Sequence, residues 1–310
     1  MEQQVRRLVT RSDFDGLACA MMLKELQLID EIKFVHPKDV QDGKIELSKN
    51  DITTNLPYDP RVSLAFDHHE SEMDRLKAVE TGGKLIIDPK ARSAARVVYD
   101  YYGGKEAFPR ISEDLMTAVD KGDSADFTMD EILDPKGWVL LHYLMDARTG
   151  PGRFHHFRIS NYDLMMQLID YCLDHDIDEI LELPDVKERV ELYFEQAEQF
   201  KAQLRRIARV HDKVVVLDLR KEEVIHAGNR FMIYALYPET EISVHVAWGF
   251  RKQNTAVMIG KSIVNKASQV DIGELCLQYG GGGHRNAGTC QLENDVVDSQ
   301  LPDIIAALNA

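Results

Sequence analysis

Three short segments hold most of the side chains able to do chemistry. The first is Asp13-Phe14-Asp15-Gly16, between an apolar run that ends at Thr10 and a helical pattern that begins at Leu17. Two carboxylates two residues apart on a tight loop can converge on a hard cation, and the glycine permits the turn. The same residues also read as a helix start, with Ser12 or Asp13 as cap and Asp15 favourable to the helix dipole. The second is Asp67-His68-His69-Glu70, four metal-competent residues directly after the apolar run Val62–Phe66. Adjacent histidines do not readily face one cation. One is expected to be a ligand and the other to orient ligands or move a proton. The third is Gly280-Gly281-Gly282-Gly283-His284-Arg285-Asn286-Ala287-Gly288. Its glycines bare backbone N–H groups to a close ligand, and His284 and Arg285 add donors suited to phosphate. A flexible linker would have no reason to carry His-Arg-Asn and then return to the strand-like Thr289-Cys290-Gln291-Leu292.

Something must bring these segments to usable positions. Val5–Thr10, Ile32–Val35, Ile52–Thr54 and Val62–Phe66 are short apolar runs bounded by Pro, Asp or Asn. They predict strands alternating with helices, hence an α/β fold with a doubly wound parallel sheet. Ligands of such sheets lie at the carboxyl ends of the strands. Asp13, Asp15 and His68 each fall just after a predicted strand. Helical patterns follow at Arg92–Tyr102, Glu113–Val119, Trp138–Met145, Tyr162–His175 and Val186–Ala208, the last an amphipathic connector. The period then turns strand-like at Lys213–Leu219, Glu241–Trp248 and Thr255–Ile259. The expected organisation is a catalytic domain over 1–185, a connector helix over 186–210 and a smaller α/β domain over 211–310.

Charge narrows the partners. Among 310 residues, 52 acidic side chains face 37 basic ones, a net charge of −15. That argues against broad contact with the backbone of a long nucleic acid, though not against a small phosphorylated substrate in a locally positive cleft. No apolar run approaches the ~18 residues of a membrane span, and MEQQVRRLVT has no signal-peptide core. Cys19, Cys172, Cys276 and Cys290 form no CxxC pair and read as reduced thiols in the cytoplasm. Lys261-Ser262 reads either as a phosphate contact or as an ordinary strand end. Arg148 and Arg153, in DARTGPGR, read either as cleft donors or as a salt-bridged loop. Ser93-Ala94-Ala95 reads as close packing at a helix start, and His155 and His156 as structural.

SDFDG, FDHHE and GGGGHRNAG, in this order and separation, resemble the DHH phosphoesterase superfamily with its DHH-associated C-terminal domain, over nearly the whole chain. The exopolyphosphatase-related branch is included in that likeness. The resemblance implies a manganese-dependent phosphoesterase holding one or two Mn²⁺ ions. Its metal residues would be Asp13, Asp15, His68 and either Asp123 or Asp120, with Asp67, His68 and His69 as the catalytic triplet. Two positions depart from the family pattern. Val9 stands where the first motif usually begins with a histidine, and Asn55 is the best match to a usual aspartate. Both weaken the second metal site, for which His36 is a substitute ligand to test. Gly282, Gly283 and His284, with Arg285, Lys261, Ser262, Arg148 and Arg153, would hold substrate phosphate. The expected activity is hydrolysis of short linear oligoribonucleotides, chiefly dinucleotides such as pGpG, to nucleoside monophosphates. No long nucleic acid and no membrane is expected as partner, and a homodimer is left open. The alternatives are a phosphoanhydride hydrolase acting on polyphosphate or pyrophosphate, and a dinucleotide-binding regulator whose catalytic centre has decayed.

Overall fold

The computed structural model describes residues 6–69, 72, 73, 76 and 84–310. Val5 of the first predicted strand and Glu70 of the second motif lie outside the described residues. The chain divides into two compact units. One is Met1–Phe127 with Lys136–Glu191, the other Thr128–Pro135 with Leu192–Ala310.

The first unit is built on five parallel strands: β1 (Arg7–Arg11), β2 (Glu31–Val35), β3 (Asp51–Thr54), β4 (Leu64–Asp67) and β5 (Leu85–Ile87). Their order is β2-β1-β3-β4-β5, all parallel. The mixed α/β class and the parallel sheet are as the sequence predicts. The order turns in opposite directions from β1, so the switch point lies between β1 and β3. β1 is inaccessible at Leu8, Val9 and Thr10, and β3 is buried throughout. This explains the unbroken apolar runs, since such strands are covered on both faces. β5 was not predicted, because only three residues form it and none is fully buried.

Five helices of this unit matter to the site. They are α1 (Phe14–Glu25), α2 (Ala94–Tyr101), α3 (Glu113–Ser124), α4 (Gly137–Met145) and α5 (Asn161–Asp174). α1 is buried from Phe14 to Leu23. Apart from Asp15, that buried stretch is apolar all round, as a helix enclosed on every side must be. Gly16 is obligatory there: a Cβ would stand 2.0 Å from the Arg11 carbonyl oxygen and 2.8 Å from Thr10 Oγ1.

The long helix α6 (Pro184–Ile207) carries residues of both units. The sequence reading ran this helix through Ala208. Instead Ala208–His211 is strand β6, paired antiparallel with β7 (Val214–Asp218). The other strands of the second unit are β8 (Ile242–Trp248), β9 (Thr255–Lys261), β10 (Gly282–His284) and β11 (Ala287–Leu292). They form a six-stranded mixed sheet in the order β10-β11-β9-β8-β7-β6. α7 (Ile272–Gln278) and α8 (Val297–Leu308) supply Ile272, Cys276, Val297 and Ile304 to a core with Val214, Val244, Val246 and Val257. Thr128–Pro135 belongs to this unit for a polar reason. Asn229 donates from Nδ2 to the Ile132 carbonyl at 3.0 Å and to Tyr193 Oη at 3.0 Å.

Candidate active site

The carboxyl ends of β1, β3 and β4 deliver the polar side chains. Asp13 caps α1, with Oδ1 accepting the Gly16 N–H at 3.0 Å. Its other oxygen, Oδ2, lies 2.8 Å from Arg11 Nε. Asp15, only 2% exposed, sits in the first turn of α1. It accepts from Ala95 N–H at 2.7 Å, Ala94 N–H at 3.1 Å and Asn55 Nδ2 at 2.7 Å. A buried carboxylate is tolerable only when donors replace its water, and here the start of α2 supplies two of them. Ser93-Ala94-Ala95 thus does more than pack closely. Ser93 caps α2 through Arg96 N–H and donates to Asp120 at 2.7 Å.

Asn55 follows β3 in a left-handed conformation, φ 54°. Its N–H is bound to the Phe66 carbonyl at 3.1 Å, which turns the side chain toward Asp15. Among the described residues its buried Oδ1 has no hydrogen-bond partner. Asp67 ends β4, with His69 Nδ1 at 2.8 Å from Oδ1 and a buried Oδ2 that has no hydrogen-bond partner among the described residues. His68 Nδ1 faces the Ala91 carbonyl at 3.3 Å. Its Nε2 lies 2.8 Å from Asp123 Oδ2. A histidine whose Nδ1–H is taken by a carbonyl offers Nε2 as a ligand atom.

Asp15, His68 and Asp123 each present a ligand atom within 4.8 Å of the others, and so do Asp67, His68 and His69. This donor set of carboxylate oxygen and imidazole nitrogen fits a divalent cation such as Mn²⁺. The orphaned oxygens of Asn55 and Asp67 fit one as well. Of the two rivals on α3, Asp123 stands in this group. Asp120 is taken by Arg96, at 2.7 Å from Nη2 and 3.0 Å from Nε, and by Ser93. His36 caps the helix Pro37–Gln41, its Nδ1 accepting Lys38 N–H at 3.1 Å. Val9 is part of the apolar core, packed with Val35, Leu56 and Val62.

The charges are strongly coupled. Burial lifts Asp15 well above the usual carboxylate value, and Asp123 and Asp13 push the same way, against His68 and the Ala95 N–H. Burial also raises Asp13, with Arg11 opposing. Burial works against a charge on His68, but contact with Asp123 and the fields of Asp15 and Asp67 outweigh it and carry the imidazole up to about 9. Asp123 is correspondingly held below its ordinary value, because the His68 contact overcomes the cost of burial. In the absence of a cation, a proton on His68 offsets the carboxylates.

Arg148 is exposed and binds Asp146 Oδ1 through its N–H at 2.8 Å and its Nε at 3.3 Å. Its charge still favours ionised Asp13. Arg153 instead covers the ring of Phe154, 4.2 Å from its centroid, and burial lowers its pKa.

The second unit contributes a different surface. Gly283 on β10 must be glycine, since a Cβ would meet the Ala287 carbonyl oxygen at 2.3 Å and Gly288 Cα at 2.4 Å. At Gly282 a Cβ would meet nothing within 4 Å. His284 is exposed, its Nδ1 accepting Asn286 N–H at 3.2 Å. Lys261 Nζ reaches the Ser268 carbonyl at 3.2 Å, and burial together with the charge of Arg285 lowers its pKa. Ser262 Oγ accepts the N–H groups of Val264 and Asn265 at 3.2 and 3.0 Å, so this hydroxyl shapes the turn after β9.

The Asp-His-His triplet and its acidic partners thus gather at the carboxyl end of a doubly wound parallel sheet. No protein-family model matches the chain, and no curated protein matches it. Among solved structures it is similar to PggH from Vibrio cholerae, a pGpG-specific phosphodiesterase. The identity is 54%, over 98% of this chain and 99% of that one, with a TM-score of 0.81. It also shares its fold with the Mn²⁺ complex of RecJ from Thermus thermophilus, at 14% identity and TM-score 0.54, over 99% of this chain and 52% of that one. The chain belongs to the family of that pGpG-specific phosphodiesterase.

Sequence reasoning missed Arg11 and the role of Ala94 and Ala95. A basic residue ending a strand whose centre is fully buried, two positions before a candidate ligand, was the available signal for the first. The second had none, because backbone N–H groups leave no mark in residue type.

Proposed function

We propose that this protein is a Mn²⁺-dependent phosphodiesterase that hydrolyses short linear dinucleotides, chiefly pGpG, to nucleoside monophosphates. The observation that carries the reading is full-length identity of 54% with a pGpG-specific phosphodiesterase. The grouping of Asp15, His68 and Asp123 supports it. These three residues would hold the cation, with Asp67 and Asn55 lending oxygens beside it. When bound, the cation supplies Lewis acidity toward the phosphoryl group and acidifies water for in-line attack. The chain's own residues do the rest. Asn55 and the start of α2 keep Asp15 oriented, and Ala91 fixes the ring of His68. His69, hydrogen-bonded to Asp67, is the group placed to take or return a proton at the leaving oxygen.

In the second unit, the Gly282 backbone, His284, Lys261 and Arg285 bind substrate phosphate. With a net charge of −15, a long strand would be repelled except at such local sites. Among the described residues no helix is long and apolar enough to cross a membrane. All four cysteines are buried free thiols, which supports a reducing compartment such as the cytoplasm.

The test is turnover with Mn²⁺ of pGpG, a five-nucleotide RNA, cyclic di-GMP and polyphosphate, with products separated by chromatography. GMP from pGpG, formed faster than product from the longer RNA, is the expected result. Phosphate from polyphosphate alone would move the protein to phosphoanhydride hydrolysis. Binding of pGpG with no turnover would make it a binding protein.

A further inference from the structure

We propose that Arg11 is a catalytic residue of this centre: its guanidinium binds a non-bridging oxygen of the scissile phosphate beside the single cation held by Asp15, His68 and Asp123. The inference rests on the phosphodiesterase reading above. Arg11 ends β1, and its carbonyl is clamped against Gly16 and accepts Asp13 N–H at 3.0 Å. The strand end therefore has little freedom. Nε is fixed by Asp13 Oδ2 at 2.8 Å, and the side chain keeps 33% of its surface exposed. Among the described residues Nη1 and Nη2 make no hydrogen bond. The fork is anchored at one nitrogen and leaves two donor groups for a ligand, in the field of Asp123, Asp15 and Asp146.

Charge gives the reason. Asp13, Asp15, Asp67 and Asp123 bring four carboxylates to one place, and a phosphodiester adds another negative charge. One divalent cation leaves that sum negative. A guanidinium is permanently positive and matches the oxygens of a phosphoryl group in geometry. Asp13 has both oxygens engaged, by Gly16 N–H and by Arg11. It is thus the positioning residue for the guanidinium rather than a cation ligand. Negative charge that develops on the non-bridging oxygens in the transition state then meets donors already in place.

The test measures binding apart from turnover. Calorimetry would follow Mn²⁺, inorganic phosphate and a phosphorothioate-linked pGpG analogue binding to wild type, Arg11→Ala and Arg11→Lys, with thermal unfolding as the folding check. Arg11→Ala is expected to weaken both phosphate probes at least about tenfold while Mn²⁺ binds as tightly as before or more tightly. Arg11→Lys, which keeps the charge without the fork, is expected to lose about threefold or more. Wild-type affinity for phosphate in Arg11→Ala overturns the proposal. So does a parallel loss of Mn²⁺, or failure of wild type to bind either phosphate probe. If wild type binds phosphate through Arg11 but not the analogue, Arg11 stands and the dinucleotide reading falls. If Arg11→Ala does not fold, wild-type phosphate affinity in Arg11→Lys overturns the proposal, and a loss supports it.

Discussion

The two candidate regions, the cluster at the strand ends and the glycine strand β10, are made in opposite ways. At the carboxyl ends of β1, β3 and β4, side chains do the work. They are charged and largely withdrawn from water, and they are held by named partners, as Asp15 is by Asn55, Ala94 and Ala95. Along β10 the backbone is what the strand presents. Glycine is required at Gly283 by contact, left open at Gly282, and followed by exposed donors. A buried ionic cluster is rigid and costly to disturb, because every removed group strands a partner. An open strand edge is tolerant except where two backbones touch.

The largest expected effect lies in the first region. His68→Ala or Asp123→Ala removes one of three grouped ligand atoms, so Mn²⁺ binding should weaken beyond detection at micromolar metal. kcat/KM on pGpG should fall about 10³-fold or more. Calorimetry and product chromatography read the two effects separately. Retained Mn²⁺ affinity in both variants would dissolve the contrast, since the cluster would then be an ionic lock and not a cation site.

The next effect comes from two glycines on one strand. Gly283→Ala should cost about 2–3 kcal/mol of stability, because its Cβ meets backbone that cannot move aside. Gly282→Ala should change stability by no more than about 0.5 kcal/mol and, if substrate phosphate binds this strand as proposed, raise KM by the added methyl. Thermal unfolding and steady-state kinetics check both. A normal KM in Gly282→Ala would place the substrate elsewhere. His284→Ala should act more weakly in the same sense, raising KM roughly tenfold with kcat nearly unchanged, as loss of one charge-assisted contact predicts.

The smallest effect is on pH. The metal-free protein holds the His68 proton up to about 9, above the ordinary histidine value. A group raised in the folded state adds stability that is fully present below its unfolded pKa, near 6.5, and lost as pH rises through about 9. Mn²⁺ must displace that proton, so its affinity should increase with pH up to about 9 and level off above it. Titrations at several pH values test this, and His68→Ala should flatten the stability profile. An Mn²⁺ affinity independent of pH between about 6 and 9 would show that His68 is neutral before the cation arrives.

Residue type and order determined much of this protein. Unbroken apolar runs announced a parallel sheet buried on both faces, and a polar residue directly after such a run is at a strand end whatever the details of packing. The placement of Asp13, Asp15, Asp67 and His68 at strand ends was therefore legible, as was GGGGHRNAG as a segment leading into a strand. Only the tertiary structure shows that Asp120 and Asp123 have different partners. They lie one helical turn apart on α3, and the difference is that Arg96 and Ser93 claim the first. It also decided what Asn55 does, since a left-handed turn after β3 aims it at Asp15. Arg11 became visible for the same reason. Periodicity reports which side of an element faces the core, whereas the partner of a charge is set by residues that meet only when the chain has folded.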